Sequence, residues 1–304
     1  MKFGRVKRLG LFRAEDSKTP NAHSLSVADL ETKYFRPDGT NTYIGYSQLA
    51  DRIHGGEPAL LQKHITPIEE IGALSSPSNP GFIGINLEPN LPNTGARQQL
   101  EFISSKDNED VFPALADHLA SLPEVSAGTV IPVLRFGGEM NAGNVHSKQP
   151  KAYKACLPAL AKAFHDRDLM LSFCPAINAG TASVSDIMQY FPDDPDIFDF
   201  ISCTLYIRPT DNESPDVNFK KVMNLYHGYV KKFPGKRLFI DELSGATTHL
   251  AGNDAMIKRI LGAIEVDVEY ATLFMSIGPA TPKSGPTIWG QDGTLGFLDN
   301  QGVS

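Results

Sequence analysis

The chain has 304 residues, 41% of them hydrophobic and 21% charged, with 28 basic against 35 acidic side chains and a formal net charge of −7. That composition is globular, and the length suits one (β/α)8 barrel, which takes about 250 residues and buries its core without staples. The acidic balance excludes the basic footprint of a nucleic-acid binder and disfavours anionic membranes, and no run approaches the roughly 18 apolar residues of a membrane span.

The N-terminus, Met1 to Arg8, has no apolar signal core. That leaves a cytoplasmic protein or a secreted one whose signal has been removed. In chain order, Val6–Phe12 reads as a first strand and Thr42–Tyr46 as a second, after the Pro37-Asp38-Gly39 turn. Ala59–Ile71 reads as helical, interrupted by Pro67. Asn86–Asn108 reads as a long polar insertion of the kind that carries substrate contacts on a barrel.

From there the pattern is regular. Gly81–Leu87, Thr129–Phe136, Leu169–Cys174, Ile197–Tyr206, Arg237–Ile240 and Tyr270–Ile277 are short, nearly continuous apolar runs. Continuity, rather than alternation, marks strands buried on both faces. The residues near their ends, Glu139, Cys174, Tyr206, Glu242 and Met275, are spaced by 35, 32, 36 and 33. A strand, two loops and a crossover helix need about that many residues. Helical stripes fill the gaps: near 111–121, near 151–165 with Pro158 expected to kink or shorten it, at 217–232, and after a cap at Asn253. The pattern predicts a single (β/α)8 domain over residues 1–304.

Two carboxylates stand where a buried strand gives way to its loop. Glu139 follows Ile131–Gly138, and Glu242 follows Arg237–Asp241. The C-terminal ends of barrel strands face one site, so residues 103 apart in sequence meet there. Glycoside cleavage needs such a pair, one carboxyl protonated to release the leaving oxygen and one ionised to attack carbon or direct water. Arg135 is a candidate for holding Glu242 ionised through a charge-assisted bond, and Tyr206 a candidate for orienting it.

Val133-Leu134-Arg135-Phe136-Gly137-Gly138-Glu139-Met140-Asn141 resembles the fourth-strand motif of glycoside hydrolase family 26, the retaining β-mannanases and related β-glucanases and β-xylanases. Tyr190–Phe200 followed by Tyr206 resembles that family's approach to strand six and its active-site tyrosine. Phe239-Ile240-Asp241-Glu242-Leu243-Ser244-Gly245 resembles the strand-seven segment holding its nucleophile. The likeness covers about residues 129–246. It implies Glu139 as acid/base and Glu242 as nucleophile, with carboxyl groups about 5–5.5 Å apart. Asn141 and Asn178 are further candidates for contact with sugar hydroxyls.

Two departures stand out. The family usually has His before the acid/base, where this chain has Gly138. The Trp-rich run after Asn141 is replaced by Ala142-Gly143-Asn144-Val145-His146, and the one tryptophan, Trp289, is the candidate floor under the sugar.

The expected function is retaining hydrolysis of a β-linked glycan of mannan, glucan or xylan type by a monomer. Carbohydrate is the expected partner, with neither nucleic acid nor membrane, and no cofactor or metal is expected. The alternatives are a non-catalytic carbohydrate-binding barrel, suggested by Gly138, and an inverting hydrolase with carboxyls about 6.5–9.5 Å apart. Cys156, Cys174 and Cys203 cannot all pair and match no zinc spacing, so buried free thiols are expected.

Overall fold

A computed structural model of the chain describes residues 5–13, 37–89, 96–141, 148–178, 180–181, 183–207, 214–245 and 250–275. Eight parallel strands form one sheet: β1 Leu9–Arg13, β2 Gly39–Gly45, β3 Gly81–Glu88, β4 Val130–Phe136, β5 Met170–Phe173, β6 Phe200–Ile207, β7 Arg237–Gly245 and β8 Tyr270–Met275. Their hydrogen-bonded order is β1-β8-β7-β6-β5-β4-β3-β2. A two-residue segment, Ala176–Ile177, continues the path of β5 beyond Cys174 and Pro175, in unchanged register with β6.

The sheet curls until its two ends meet. Asp38 N donates to Leu9 O at 2.9 Å, and Leu9 N donates to Asp38 Oδ2 at 3.0 Å, so the turn before β2 seals the seam with β1. The result is a nearly closed (β/α)8 barrel. Around it lie α1 Tyr46–His54, α2 Gln62–Ala73, α3 Ala96–Ile103, α4 Val111–Ser121, α5 Pro123–Ser126, α6 Pro150–His165, α7 Val184–Met188, α8 Pro215–Val230 and α9 Leu250–Ala263.

Apolar side chains fill both sides of the strands. The outer set packs against the helices; inside, Phe82, Val133, Phe200, Phe239 and Tyr270 form a separate layer. The Tyr270 ring stacks on Phe82 and Phe239 with centroids 4.8 Å away in each case. Glycine makes room for it. A Cβ on Gly39 would collide with Tyr270 Oη and with the backbone carbonyl of Phe82, which cannot swing aside. Gly39→Ala is therefore expected to cost about 3 kcal/mol, at the high end for overpacking. The readout is a lowered urea midpoint at unchanged slope.

Four expectations need correction. The last helix begins at Leu250, so Asn253 lies inside it and is not its cap. The stretch 86–108 is no unbroken polar loop: β3 extends to Glu88, and Ala96–Ile103 is a helix with Gln99 and Leu100 buried. Pro67 does not interrupt its helix, which runs from Gln62 to Ala73 with Ile68 and Ile71 buried. Pro158 does not shorten α6, which spans Pro150–His165 on a buried stripe of Tyr153, Cys156, Leu160 and Phe164. A proline costs its helix one backbone bond, and here the buried face outweighs that loss. The three cysteines are free and buried. Among the described residues, no helix is long and apolar enough to cross a membrane.

Candidate active site

Parallel strands bring all their C-terminal ends to one mouth. The side chains beneath it follow a row of register partners: Tyr43 on β2, Asn86 on β3, Arg135 on β4 and Ser172 on β5. Across the barrel stand Thr204 and Tyr206 on β6 and Asp241 with Glu242 on β7.

Alternation should send consecutive residues of a strand to opposite faces. Asp241 and Glu242 break that rule because β7 carries a bulge. Cys203 pairs with Ile240 and Thr204 with Glu242, so Asp241 is an extra residue against β6. Against β8 the same slip appears, Ile240 pairing with Ala271 and Leu243 with Leu273. Bulges re-aim side chains in this way. Here both acids reach one guanidinium: Arg135 Nη1 pairs with Asp241 Oδ2, and Nη2 with Glu242 Oε1. Asn41 Nδ2 donates to the Asp241 carbonyl at 2.8 Å, tying the bulge to β2 on the far side.

Arg135, Asp241 and Glu242 are 2%, 1% and 5% exposed, so their pairing is not screened by water. Burial alone would raise the Glu242 carboxyl. The Arg135 charge, with hydrogen bonds from Tyr206, Tyr43 and Arg135, reverses that and holds it below the ordinary glutamate value. Tyr43 Oη donates to Oε1 at 2.6 Å, and Tyr206 Oη donates to Oε2. Glu242 is thus ionised and fixed in orientation. Asp241 behaves oppositely. Burial pushes it up to about 6, Arg135 pulls it down, and the Glu242 charge adds to the rise.

Glu139 lies on the loop after β4 and is half-exposed. Gly137 and Gly138 precede it with φ of +77° and +48°, in the left-handed region that glycine enters without strain. They turn the chain at the mouth. Thr204 Oγ1 donates to Glu139 Oε1 at 2.6 Å, and Thr204 is also the register partner of Glu242. One threonine therefore links the two glutamates.

The remaining candidates fare differently. Asn141 uses both ends of its amide on the backbone of Ala176: Nδ2 donates to the carbonyl at 3.0 Å, and Oδ1 accepts from the N–H at 2.7 Å. In this state it braces the loop against β5. Asn178 Oδ1 accepts from Gly180 N at 2.8 Å, closing a local turn. Trp289 and the 142–147 run lie outside the described residues.

Sequence reasoning missed Tyr43, Thr204, Asp241 and Glu88. Asp241 carried a signal in its place beside Glu242; Tyr43 and Thr204 looked like ordinary strand residues, and Glu88 fell in the stretch read as loop. Among the described residues, no group of three or more His, Cys, Asp or Glu is arranged to hold a metal ion.

Fold and site define a (β/α)8 barrel with a paired-glutamate centre at the C-terminal mouth of its strands. No protein-family model matches the sequence, and no curated protein is similar to it. Solved structures are similar in fold. A GH26 β-mannanase from Bacteroides ovatus superposes with a TM-score of 0.63 at 15% identity, over 96% of this chain and 88% of that one. A GH26C structure from a Muricauda species gives 0.66 at 12% identity, over 98% and 86%. Endo-glycoceramidase II from a Rhodococcus species gives 0.57 at 13%, over 96% and 77%. At 12–15% identity the likeness is one of fold, shared with GH26 structures and with the endo-glycoceramidase alike.

Proposed function

We propose that the chain is a retaining glycoside hydrolase acting on a β-linked oligo- or polysaccharide of mannan, glucan or xylan type. Glu242 is the nucleophile and Glu139 the acid/base. The observation that carries this reading is the contrast between the two carboxyls. Glu242 is buried and held ionised by Arg135 and two tyrosine hydroxyls, whereas Glu139 is half-buried at the mouth and accepts a hydrogen bond from the Thr204 hydroxyl. Carboxyls in divergent environments divide the roles of base and acid.

In the first step a Glu242 oxygen attacks the anomeric carbon. The bond to the leaving oxygen breaks as Glu139 transfers its proton there. In the second step ionised Glu139 takes a proton from water, whose oxygen displaces Glu242 from the same carbon. Two inversions give net retention.

The test is a reducing-sugar assay across mannan, mixed-linkage glucan, β-1,3- and β-1,4-xylan, galactan, laminarin and chitosan, with proton NMR of the first anomer released. A β-anomer product from a β-linked glycan is expected. An α-anomer product overturns retention. Sugar binding without turnover returns the non-catalytic barrel.

Thr204→Val preserves shape and removes the donor to Glu139. It is expected to lower kcat about 10-fold with KM nearly unchanged, the scale of one charge-assisted hydrogen bond lost from an acid/base. Steady-state kinetics on the hydrolysed glycan check it.

A further inference from the structure

Glu88 is the last residue of β3, two positions beyond the inward-facing Asn86, and so stands on the same side of the strand at the mouth. Its carboxylate lies against the Cα of Gly138. A Cβ built at 138 would fall on Glu88 Oε1 and stand 3.1 Å from its Cδ. The side chain missing before Glu139 is therefore replaced in space by a carboxylate from the neighbouring strand.

A structural salt bridge does not account for Glu88. The Arg135 Nη atoms are occupied by Asp241 and Glu242, and its Nε has no partner among the described residues. No described residue donates a hydrogen bond to Glu88. The carboxylate is half-buried and sits within the fields of Arg135, Glu242 and Glu139. It has acceptor capacity to spare beside the acid/base.

We infer that Glu88 is a substrate-contacting, specificity-determining residue of this site, whose carboxylate accepts a hydrogen bond from a hydroxyl of the sugar next to Glu139. The inference rests on the proposed hydrolase reading for its substrate class. Gly138 is the permissive partner: a side chain there displaces the carboxylate and removes the contact.

The experiment has two readouts. Steady-state kinetics compare wild type with Glu88→Ala, Glu88→Gln, Gly138→Ala and the Glu88→Ala/Gly138→Ala pair. Calorimetry measures mannohexaose, cellohexaose, xylohexaose and laminarihexaose binding to the Glu242→Gln protein, with and without Glu88→Ala. Glu88→Ala is expected to raise KM and weaken binding by about 10–100-fold, the range for a hydrogen bond to a charged group, with kcat within about 3-fold and Tm unchanged. Glu88→Gln, which keeps an acceptor, recovers part of the loss. Gly138→Ala also raises KM, and its backbone strain at φ +48° beside Glu139 lowers kcat as well, in either background.

Glu242-dependent turnover with KM and binding unaffected by Glu88→Ala overturns the Glu88 assignment and leaves the hydrolase intact. Absent turnover with binding that depends on Glu88 overturns the hydrolase and supports the contact. Neither turnover nor binding overturns both.

Discussion

Glu242→Ala is expected to reduce turnover at least about 1000-fold, a loss of about 4 kcal/mol of transition-state stabilisation, while leaving the barrel folded. On the proposed mechanism the neighbouring carboxyl is no substitute nucleophile, because Asp241 is more deeply buried and bound to Arg135 Nη1. Folding survives because Arg135 keeps that partner. With the Glu242 charge gone, one influence raising the Asp241 carboxyl disappears, so Asp241 is better fitted to neutralise the guanidinium alone.

The same variant tests the order of events. With an activated aryl glycoside and azide, a small anion enters the space left by the side chain and attacks once. A β-glycoside then gives an α-glycosyl azide. Glu139→Ala retains the first displacement, so azide attacks the glycosyl-enzyme and the product is β. Opposite anomers from the two variants assign the two glutamates. The same anomer from both sinks the double displacement.

The regular spacing of strand ends made the barrel and the places of Glu139 and Glu242 legible. What was illegible has particular causes. Strands of a parallel barrel are buried on both faces, so a run such as Phe200–Ile207 does not reveal that Thr204 and Tyr206 face the site. Tyr43 lies in a seven-residue strand, Gly39–Gly45, whose register with β3 only the closed sheet supplies. Strict alternation would have turned either Asp241 or Glu242 away, and the extra residue in β7 comes from pairing on both edges. Glu88 was hidden by a wrong boundary, since the stretch from 86 read as loop. Its relation to Gly138 joins the end of β3 to the loop after β4, and no motif contains both. Asn141, a candidate sugar contact from its place beside Glu139, has its amide matched to the backbone N–H and carbonyl of Ala176.

Arg135→Met is expected to be the most destabilising change at the site. It leaves two buried carboxylates facing each other without a counter-charge, which typically costs about 3–5 kcal/mol, or roughly 10 °C in Tm. The pH dependence follows from the two shifts. Glu242 is held below its ordinary value, so its favourable contribution is present above the unfolded pKa and lost as pH falls. Asp241, raised to about 6, binds a proton in the native state that the unfolded chain releases, so its contribution is present at low pH and lost as pH rises through 6. Removing Arg135 pushes both carboxyls upward. The variant's deficit against wild type is then greatest near pH 8 and shrinks on acidification, and Asp241→Asn added to Arg135→Met recovers part of it. A deficit that is flat with pH contradicts this charge balance. Arg135→Lys separates charge from shape. One ammonium neutralises the pocket but cannot bridge Asp241 and Glu242 as the two Nη atoms do. Most of the Tm should return while kcat stays at least about 10-fold low, because the fork that sets the Glu242 carboxylate against the sugar is gone. Recovery of both would mean that the charge alone suffices and that Tyr43 and Tyr206 fix the angle of attack.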